Sequence, residues 1–232
     1  MQAPKQFMAV PVITLPNVVF FPETVLPMTV QDNLCKQIIQ DCLSNNSLII
    51  ISKSRDESEG ASFKPYALPS DVCTAGQIQL INDDQEQGVL RIAVKGVCRV
   101  KLSHLVQNIP YPVYAVKPLP DEAKEQVFDG AHVYELRHLI SKWLDVYVSD
   151  SLEREKFQNY LSDTEKLTNN ISMLMVKDPM VKQILLENMA LSDRISLLKS
   201  LFRDQELLEE DQTVVEAIKD YEHIELKSLI PN

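Results

Sequence analysis

The pattern of apolar and polar positions changes character near residue 120. Before that point, short apolar runs alternate with turn residues, which is typical of β-strands. The runs predicted as strands are Phe7–Ile13, Val18–Phe21, Leu48–Ile51, Gly76–Ile81, Val89–Leu102 and Val113–Val116. Between them, Gln31–Ser44 has the spacing of a short helix that Asn45-Asn46 stops. Several short strands with one helix favour a small closed or half-closed β-barrel.

After residue 120 the apolar residues recur at helical spacing. One face of the first predicted helix holds Val133, Leu136, Ile140, Trp143 and Tyr147. Start signals follow at Ser162–Glu165, a capping box, and at Asp178-Pro179, where an N-cap residue precedes a proline. Ser192 is expected to cap a further helix, and a last amphipathic segment runs from about Val214 to Leu229. These signals predict a compact helical bundle, with Trp143 in its core.

Proline and glycine usage supports the same boundary. Eleven of the 13 prolines and four of the five glycines lie in residues 1–120. Long helices need a chain almost free of both residues. We therefore predict an α+β fold with two lobes, a β-barrel lobe at residues 1–118 and a helical bundle lobe at residues 119–232.

The net charge of −10 is unevenly distributed. Residues 1–120 hold ten Lys or Arg and ten Asp or Glu, whereas residues 121–232 hold thirteen and 23. Neutralising a polyanion requires a basic face, so this balance disfavours nucleic acid as a partner. The zero balance of the first half is an average that can still hide a local basic patch.

Cysteine usage and the N-terminus indicate a cytoplasmic chain. Cys35, Cys42, Cys73 and Cys98 lie in or beside apolar segments and have no C-x-x-C spacing. Residues Met1–Val12 lack the long apolar region and cleavage site of a signal peptide. Apolar stretches of membrane-spanning length are also absent from the sequence. We expect reduced, packed thiols and no membrane association.

The segment Leu15–Val30 carries the most distinctive motif, LPNVVFFPETVLPMTV. Because proline cannot donate to a sheet ladder, Pro22 and Pro27 must lie at a strand end, an edge or a bulge. The segment resembles the opening of the Lon protease N-terminal domain, in which L-P-N-x-V-x-F-P is followed by L-P. Glu23 stands where stand-alone members of that family commonly have glycine.

Further motifs extend the resemblance over nearly the whole chain. Val72–Ile78 stands in place of a V-G-T-x-x-x-I pattern, with Cys73 replacing the usual glycine. Val94–Arg99 resembles V-x-G-x-x-R, and Pro110–Val116 resembles the closing strand of the domain. In the helical half, Lys182–Glu187 and the later Arg194-Ile195 resemble K-Q-x-L-L-E…R-L.

The resemblance implies a PUA-like β-barrel and non-catalytic recognition of protein or peptide clients, without a cofactor. A stand-alone domain lacking the ATPase and peptidase domains is the leading interpretation. Two alternatives remain open at this point: an N-terminal fragment of a full-length ATP-dependent Lon protease, and an RNA-binding PUA-like module.

Catalytic and metal-binding patterns are weak in this sequence. The five glycines do not form a Walker A loop. Ser196-Leu197-Leu198-Lys199 matches S-x-x-K, but the S-D-N and K-T-G partners of that motif are missing, so it is interpreted as a solvated helix face. His132 and His138 are six residues apart and therefore lie on different helix faces. We predict no catalytic residue, no metal site and no cofactor site.

The predicted binding residues are Phe20, Phe21, Leu26 and Met28. In a strand, alternate residues face opposite sides, so about half of this set is expected to face the core. The other half would form an exposed apolar patch that contacts client polypeptides.

Overall fold

The computed structural model describes residues 8–55, 67–84, 88–122 and 130–203. The chain forms two compact units. The barrel unit contains the chain up to Pro22 and Met28–Pro120, and the helical unit contains Glu23–Pro27 and the chain from Asp121 onward. Glu23–Pro27 belongs to the helical unit although it lies in the first half of the sequence.

Five strands of the barrel unit close into a ring. The described residues contain six strands, and all except β2 belong to the ring: β1 (Met8–Leu15), β2 (Val25–Val30), β3 (Ile49–Lys53), β4 (Val72–Asp84), β5 (Val89–Gln107) and β6 (Val113–Pro118). Strand β1 pairs with β3 in parallel and with β6 antiparallel. The antiparallel pairs β3–β4, β4–β5 and β5–β6 complete the ring, and β2 is added to β5.

The inside of the ring is filled by small and β-branched side chains. This core consists of Val10, Val12, Ile50, Cys73, Ala75, Val100, Leu102 and Val116. Helix α1 (Asn33–Asn45) packs beside β1 and β4. Its N-cap is Asp32, whose side chain accepts from the Cys35 amide, and Asn46 ends it in the left-handed conformation at φ 48°. The predicted stop at Asn45-Asn46 is confirmed.

One predicted strand is wrong. Val18–Phe21 is an irregular segment, and the strand that follows the motif is instead β2, which contains Pro27. Asn17 at φ 38° and Glu23 at φ 57° bracket the segment with left-handed turns, so the chain cannot continue as a ladder there. The adjacent Phe20 and Phe21 are both buried, which alternation in a strand with one buried face does not allow.

Five helices make up the described part of the helical unit: α2 (Gly130–Tyr147), α3 (Ser151–Tyr160), α4 (Thr164–Leu174), α5 (Pro179–Glu187) and α6 (Leu191–Arg203). The predicted start at Asp178-Pro179 is confirmed, with the Asp178 side chain accepting from the Met180 and Val181 amides. The N-cap of α4 is Asp163 rather than Ser162. Helix α6 starts one residue before Ser192, so Ser192 does not cap it. The predicted segment Val214–Leu229 lies outside the described residues.

The helical unit buries both apolar and polar side chains. On α2 the buried residues are Leu136, Ile140 and Leu144, whereas Trp143 is half-buried and stacks on Tyr147 with ring centroids 4.8 Å apart. Within the described ranges, no helix has the length and hydrophobicity needed to cross a membrane.

Candidate functional site

The apolar residues Phe20 and Phe21 are held over a pair of glycines. Gly76 of β4 and Gly96 of β5 are register partners. A Cβ built on Gly96 would lie 2.2 Å from the Phe21 carbonyl oxygen, and one on Gly76 would lie 3.0 Å from Phe20 Cε1. The Thr74 hydroxyl donates to the Phe20 carbonyl at 2.5 Å. The two glycines therefore allow the chain at Phe20–Phe21 to approach the sheet at backbone distance.

This close approach removes half of the predicted binding set from the surface. Phe20 is 1% exposed and Phe21 is 0% exposed, so neither ring can contact a partner. Phe20 and Phe21 are therefore the half of the predicted set that faces the core. Leu26 and Met28 are half-buried and occupy alternate positions of β2, so they stay a predicted binding pair.

Glu23, two residues after Phe21 in the sequence, is held inside the helical unit. The Tyr160 hydroxyl lies 2.9 Å from the Glu23 carbonyl oxygen and 3.1 Å from Glu23 Oε2, and the Asn170 side-chain amide donates to the same carbonyl at 3.0 Å. Lys166 Nζ lies 4.0 Å from Glu23 Oε2 and 4.6 Å from the centre of the Tyr160 ring. Burial, together with the Glu23 carboxylate, raises the pKa of Tyr160. These contacts stabilise Glu23 in a left-handed backbone conformation at φ 57°.

The exposed apolar side chains of the barrel unit include a group that the sequence analysis did not identify. Strand β5 runs past its predicted end at Leu102, and residues 103–110 are all exposed. Leu105, Val106 and Ile109 are 44%, 54% and 80% exposed. We call residues 103–110 the hairpin tip. A sequence signal did exist, because Leu105, Val106 and Ile109 stand directly before the Pro110-Tyr111-Pro112 turn.

The hairpin tip is joined to an irregular and anchored part of the sheet. The β5–β6 register shifts twice, between Leu102 and His104 and between Leu105 and Gln107. Such bulges bend a strand and are frequent at the rims of barrels. The Tyr111 hydroxyl donates to Asp41 Oδ2 of α1 at 2.8 Å, and burial together with this carboxylate raises the pKa of Tyr111 to about 12. The base of the tip is thereby fixed to α1.

The side chains considered for chemistry have structural partners. Ser196 donates to the Ser192 carbonyl at 2.9 Å, and Lys199 Nζ lies 3.5 Å from Glu135. Both residues lie on α6, where Ser196 is exposed and the side chain of Lys199 is only 19% exposed. His132 and His138 lie on α2, and within the described ranges no three His, Cys, Asp or Glu side chains come together as a metal site would require.

The four cysteines are free thiols. Cys35, Cys42 and Cys73 are buried and Cys98 is half-buried. Burial raises the pKa of Cys98, and burial together with Asp32 raises the pKa of Cys35 to about 12. A reactive cysteine needs a lowered pKa, so the raised pKa values argue against Cys35 and Cys98 as nucleophiles.

Comparison with known families identifies the chain. Residues 9–204 match the family described as the ATP-dependent protease La (LON) substrate-binding domain. The chain belongs to this family. The predicted resemblance to the Lon N-terminal domain is therefore confirmed.

Curated relatives include full Lon proteases. The chain is 21% identical over 213 residues to Lon protease of Buchnera aphidicola, covering 90% of this chain and 27% of the relative. It is 26% identical over 220 residues to Lon protease 2 of Myxococcus xanthus, covering 90% of this chain and 25% of the relative. The chain thus spans about a quarter of the length of these relatives.

Solved structures of Lon N-terminal domains share the fold. The Lon N-terminal domain protein from Xanthomonas campestris superposes with a TM-score of 0.62 at 14% identity, covering 83% of this chain and 98% of that one. The N-terminal domain of Lon protease from Mycobacterium avium complex gives a TM-score of 0.64 at 18% identity, covering 85% and 99%. The predicted α+β class is confirmed by these matches and by the six strands and six helices among the described residues.

Proposed function

We propose that this chain recognises segments of other polypeptides and holds them without cleaving them. The observation that carries this proposal is the match to the LON substrate-binding domain over residues 9–204. The match covers the substrate-binding domain alone, and the sequence has neither a Walker A loop nor a supported S-x-x-K motif. In this proposal the chain acts in the cytoplasm, with a PUA-like barrel and a helical bundle.

Two groups of side chains are suited to the contact. The hairpin tip offers Leu105, Val106 and Ile109, which are well exposed, and β2 offers the half-buried Leu26 and Met28. Covering apolar surface contributes about 25 cal/mol per Å², and much of that gain is offset by the cost of association. A small surface of this kind fits affinities near the micromolar range.

Contact through side chains is favoured over addition of a strand. The five strands of the ring each pair on both sides, and the added strand β2 carries Pro27, which cannot donate a ladder hydrogen bond. A client segment therefore gains more by covering exposed apolar side chains than by pairing with backbone.

The binding test uses a permanently unfolded model protein, such as reduced and carboxymethylated lactalbumin, in a fluorescence anisotropy titration. Binding is expected, and its apolar component should persist at high salt, unlike contacts to phosphates. Ile109→Ser and Leu105→Ser should weaken binding, and Leu26→Ser and Met28→Ser test the second group. Leu80→Ser is the matched control, since Leu80 is 52% exposed on β4, outside both groups. Undetectable binding by the folded chain would contradict the proposal.

The absence of cleavage has its own measurement. The purified chain should neither turn over ATP nor degrade casein. Casein degradation that co-purifies with the chain and is abolished by Ser196→Ala would contradict the non-catalytic assignment. Activity unaffected by that substitution and removed by further purification would indicate a contaminating protease.

A further inference from the structure

The segment Glu23–Pro27, which we call the strap, belongs to the helical unit and contains Leu26, one of the two predicted binding residues of β2. Thr24 and Val25 are β-branched and favour an extended backbone, and Leu26 precedes a proline, which restricts it to the same region. Glu23 is the one residue of the strap in the left-handed region, at φ 57°. The direction in which the strap leaves the helices is therefore set at Glu23.

A small change at Glu23 would move Leu26 by more than the range of an apolar contact. Leu26 follows Glu23 by three residues, which corresponds to about 10 Å of extended chain. A rotation of about 30° at Glu23 would thus displace Leu26 by about 5 Å, whereas apolar side chains touch within about 4 Å. Because a side chain with a Cβ disfavours the left-handed region, Glu23 needs external contacts to stay there.

Two side chains hold the carbonyl oxygen of Glu23. The Tyr160 hydroxyl donates to it at 2.9 Å and the Asn170 side-chain amide at 3.0 Å. Tyr160 is the last residue of α3 and Asn170 lies on α4, so the oxygen is fixed from two helices. The buried Asn170 amide also donates to the Lys166 carbonyl at 2.8 Å, which uses its second proton and fixes its orientation.

The neighbouring ion pair contributes less to this anchor. Lys166 Nζ lies 4.0 Å from Glu23 Oε2, and the two side chains are 34% and 35% exposed. Ion pairs at such exposed positions contribute little to stability and are screened by salt. The hydrogen bonds to the Glu23 carbonyl therefore hold the strap, and the bond from Tyr160 is the one that a conservative substitution can remove.

We propose that Tyr160 is a positioning residue for client binding: by holding the Glu23 carbonyl, its hydroxyl fixes the strap in the orientation that presents Leu26. This inference rests on the proposed function and assigns a role to a residue that acts through the strap. Without the hydroxyl, the strap gains other orientations, and a smaller fraction of the molecules can bind through Leu26. The apparent affinity falls by the same fraction.

The test is a double-mutant cycle, with the full chain titrated against reduced and carboxymethylated lactalbumin by fluorescence anisotropy. Tyr160→Phe keeps the ring, whose centre lies 4.6 Å from Lys166 Nζ and 6.3 Å from the ring centre of Phe157. It should weaken binding by about twofold to tenfold, the range for one neutral hydrogen bond. In the Leu26→Ser background the same substitution should change the affinity by less than about twofold, because the strap then has no apolar contact to position.

Two controls separate positioning from a general loss of structure. Tyr134→Phe removes the hydroxyl of an exposed tyrosine on α2 and should leave binding unchanged. Tyr160→Phe combined with Ile109→Ser should show additive losses, because Ile109 lies in the barrel unit, outside the strap. Urea denaturation followed by Trp143 fluorescence verifies that the helical unit of each variant is folded.

The outcomes separate this inference from the proposed function. Additive losses for Tyr160→Phe and Leu26→Ser, or an affinity that Tyr160→Phe leaves unchanged although Leu26→Ser weakens it, would overturn the inference while client binding stands. An affinity unaffected by Leu26→Ser would also overturn it, since the strap would then present no contact to the client. Undetectable binding of the unfolded protein by the wild type would overturn the proposed function together with the inference.

Discussion

Replacing Gly96 with alanine is expected to destabilise the barrel unit more than any ordinary single-methyl change. The added Cβ would lie 2.2 Å from the Phe21 carbonyl oxygen, 3.0 Å from Pro22 Cα and 3.1 Å from the Phe21 carbonyl carbon. All three contacts are with backbone, so no change of rotamer can relieve them. Either strand β5 or the segment that crosses it must move.

The magnitude follows from what that movement would expose. Overpacking a well-ordered site costs about 1–3 kcal/mol. If the crossing segment lifts, Phe20 and Phe21 lose part of their burial, which is worth about 1.5–3 kcal/mol for each fully buried side chain. We expect Gly96→Ala to lower the free energy of unfolding by about 3 kcal/mol or more, a large part of the roughly 5–15 kcal/mol typical of natural domains.

Urea denaturation can follow both units. Far-ultraviolet circular dichroism reports secondary structure throughout, whereas the single tryptophan, Trp143, reports the helical unit by fluorescence. The loss for Gly96→Ala should therefore be larger by circular dichroism than by fluorescence if the units unfold separately.

Gly130→Ala is the matched control. A Cβ on Gly130 meets nothing within 4 Å, and the residue lies at the start of α2. Alanine there should leave stability unchanged or raise it by up to about 1 kcal/mol. If Gly96→Ala instead unfolds within about 0.5 kcal/mol of the wild type, the range of an ordinary surface substitution, the backbone crossing over β5 is refuted.

Three further predictions concern titration, a buried ion pair and the thiols. The pKa of Tyr111 is raised from 10.0 to about 12, so its contribution to stability is complete below pH 10 and is lost as the pH rises through 12. In urea denaturation at a series of pH values, Tyr111→Phe should flatten this alkaline loss of stability. An unchanged dependence of stability on pH would contradict the prediction. Asp121→Ala should cost about 3–5 kcal/mol in urea denaturation because Arg194, fully buried and 2.5 Å from Asp121, would lose its counter-charge. The double variant with Arg194→Met should recover part of that loss, and additive losses would argue against the pair. Cys98, the half-buried thiol, should react first with a thiol reagent, and all four thiols should react after denaturation. Fewer than four reactive thiols, or stoichiometric zinc by elemental analysis, would contradict this expectation.

Much of the fold could be predicted because regular elements leave regular patterns. The runs Leu48–Ile51 and Val113–Val116 lie at β3 and β6 within a few residues, since buried strands need β-branched and apolar residues wherever they occur. Asp178-Pro179 located the start of α5 because capping depends only on local chemistry. Val18–Phe21 has the apolar composition of a strand, and the same composition favours its burial. The segment packs over Gly76 and Gly96, which are distant in the sequence, so no local pattern reveals this packing.

The candidate site was harder to predict because exposure depends on what the rest of the fold covers. Phe20 and Phe21 are more apolar than the residues of the hairpin tip, yet they are the ones that are buried. Helix α5 shows that residue type alone does not decide exposure. Its Lys182 and Gln183 are buried, whereas the neighbouring Ile184 is 53% exposed. Apolar character predicts burial on average, and the exceptions carry the information about function.

The placement of Glu23 in the helical unit has a consequence for the order of synthesis. Glu23 and its partner Asn170 are separated by 147 residues, so at typical translation rates roughly 7–30 s pass between the synthesis of one and the other. During that interval the segment Glu23–Pro27 has left the ribosome without the helices that will hold it. The nascent chain can form the ring of the barrel unit early, but the helical unit is completed only when Glu23–Pro27 meets helices that are synthesised much later.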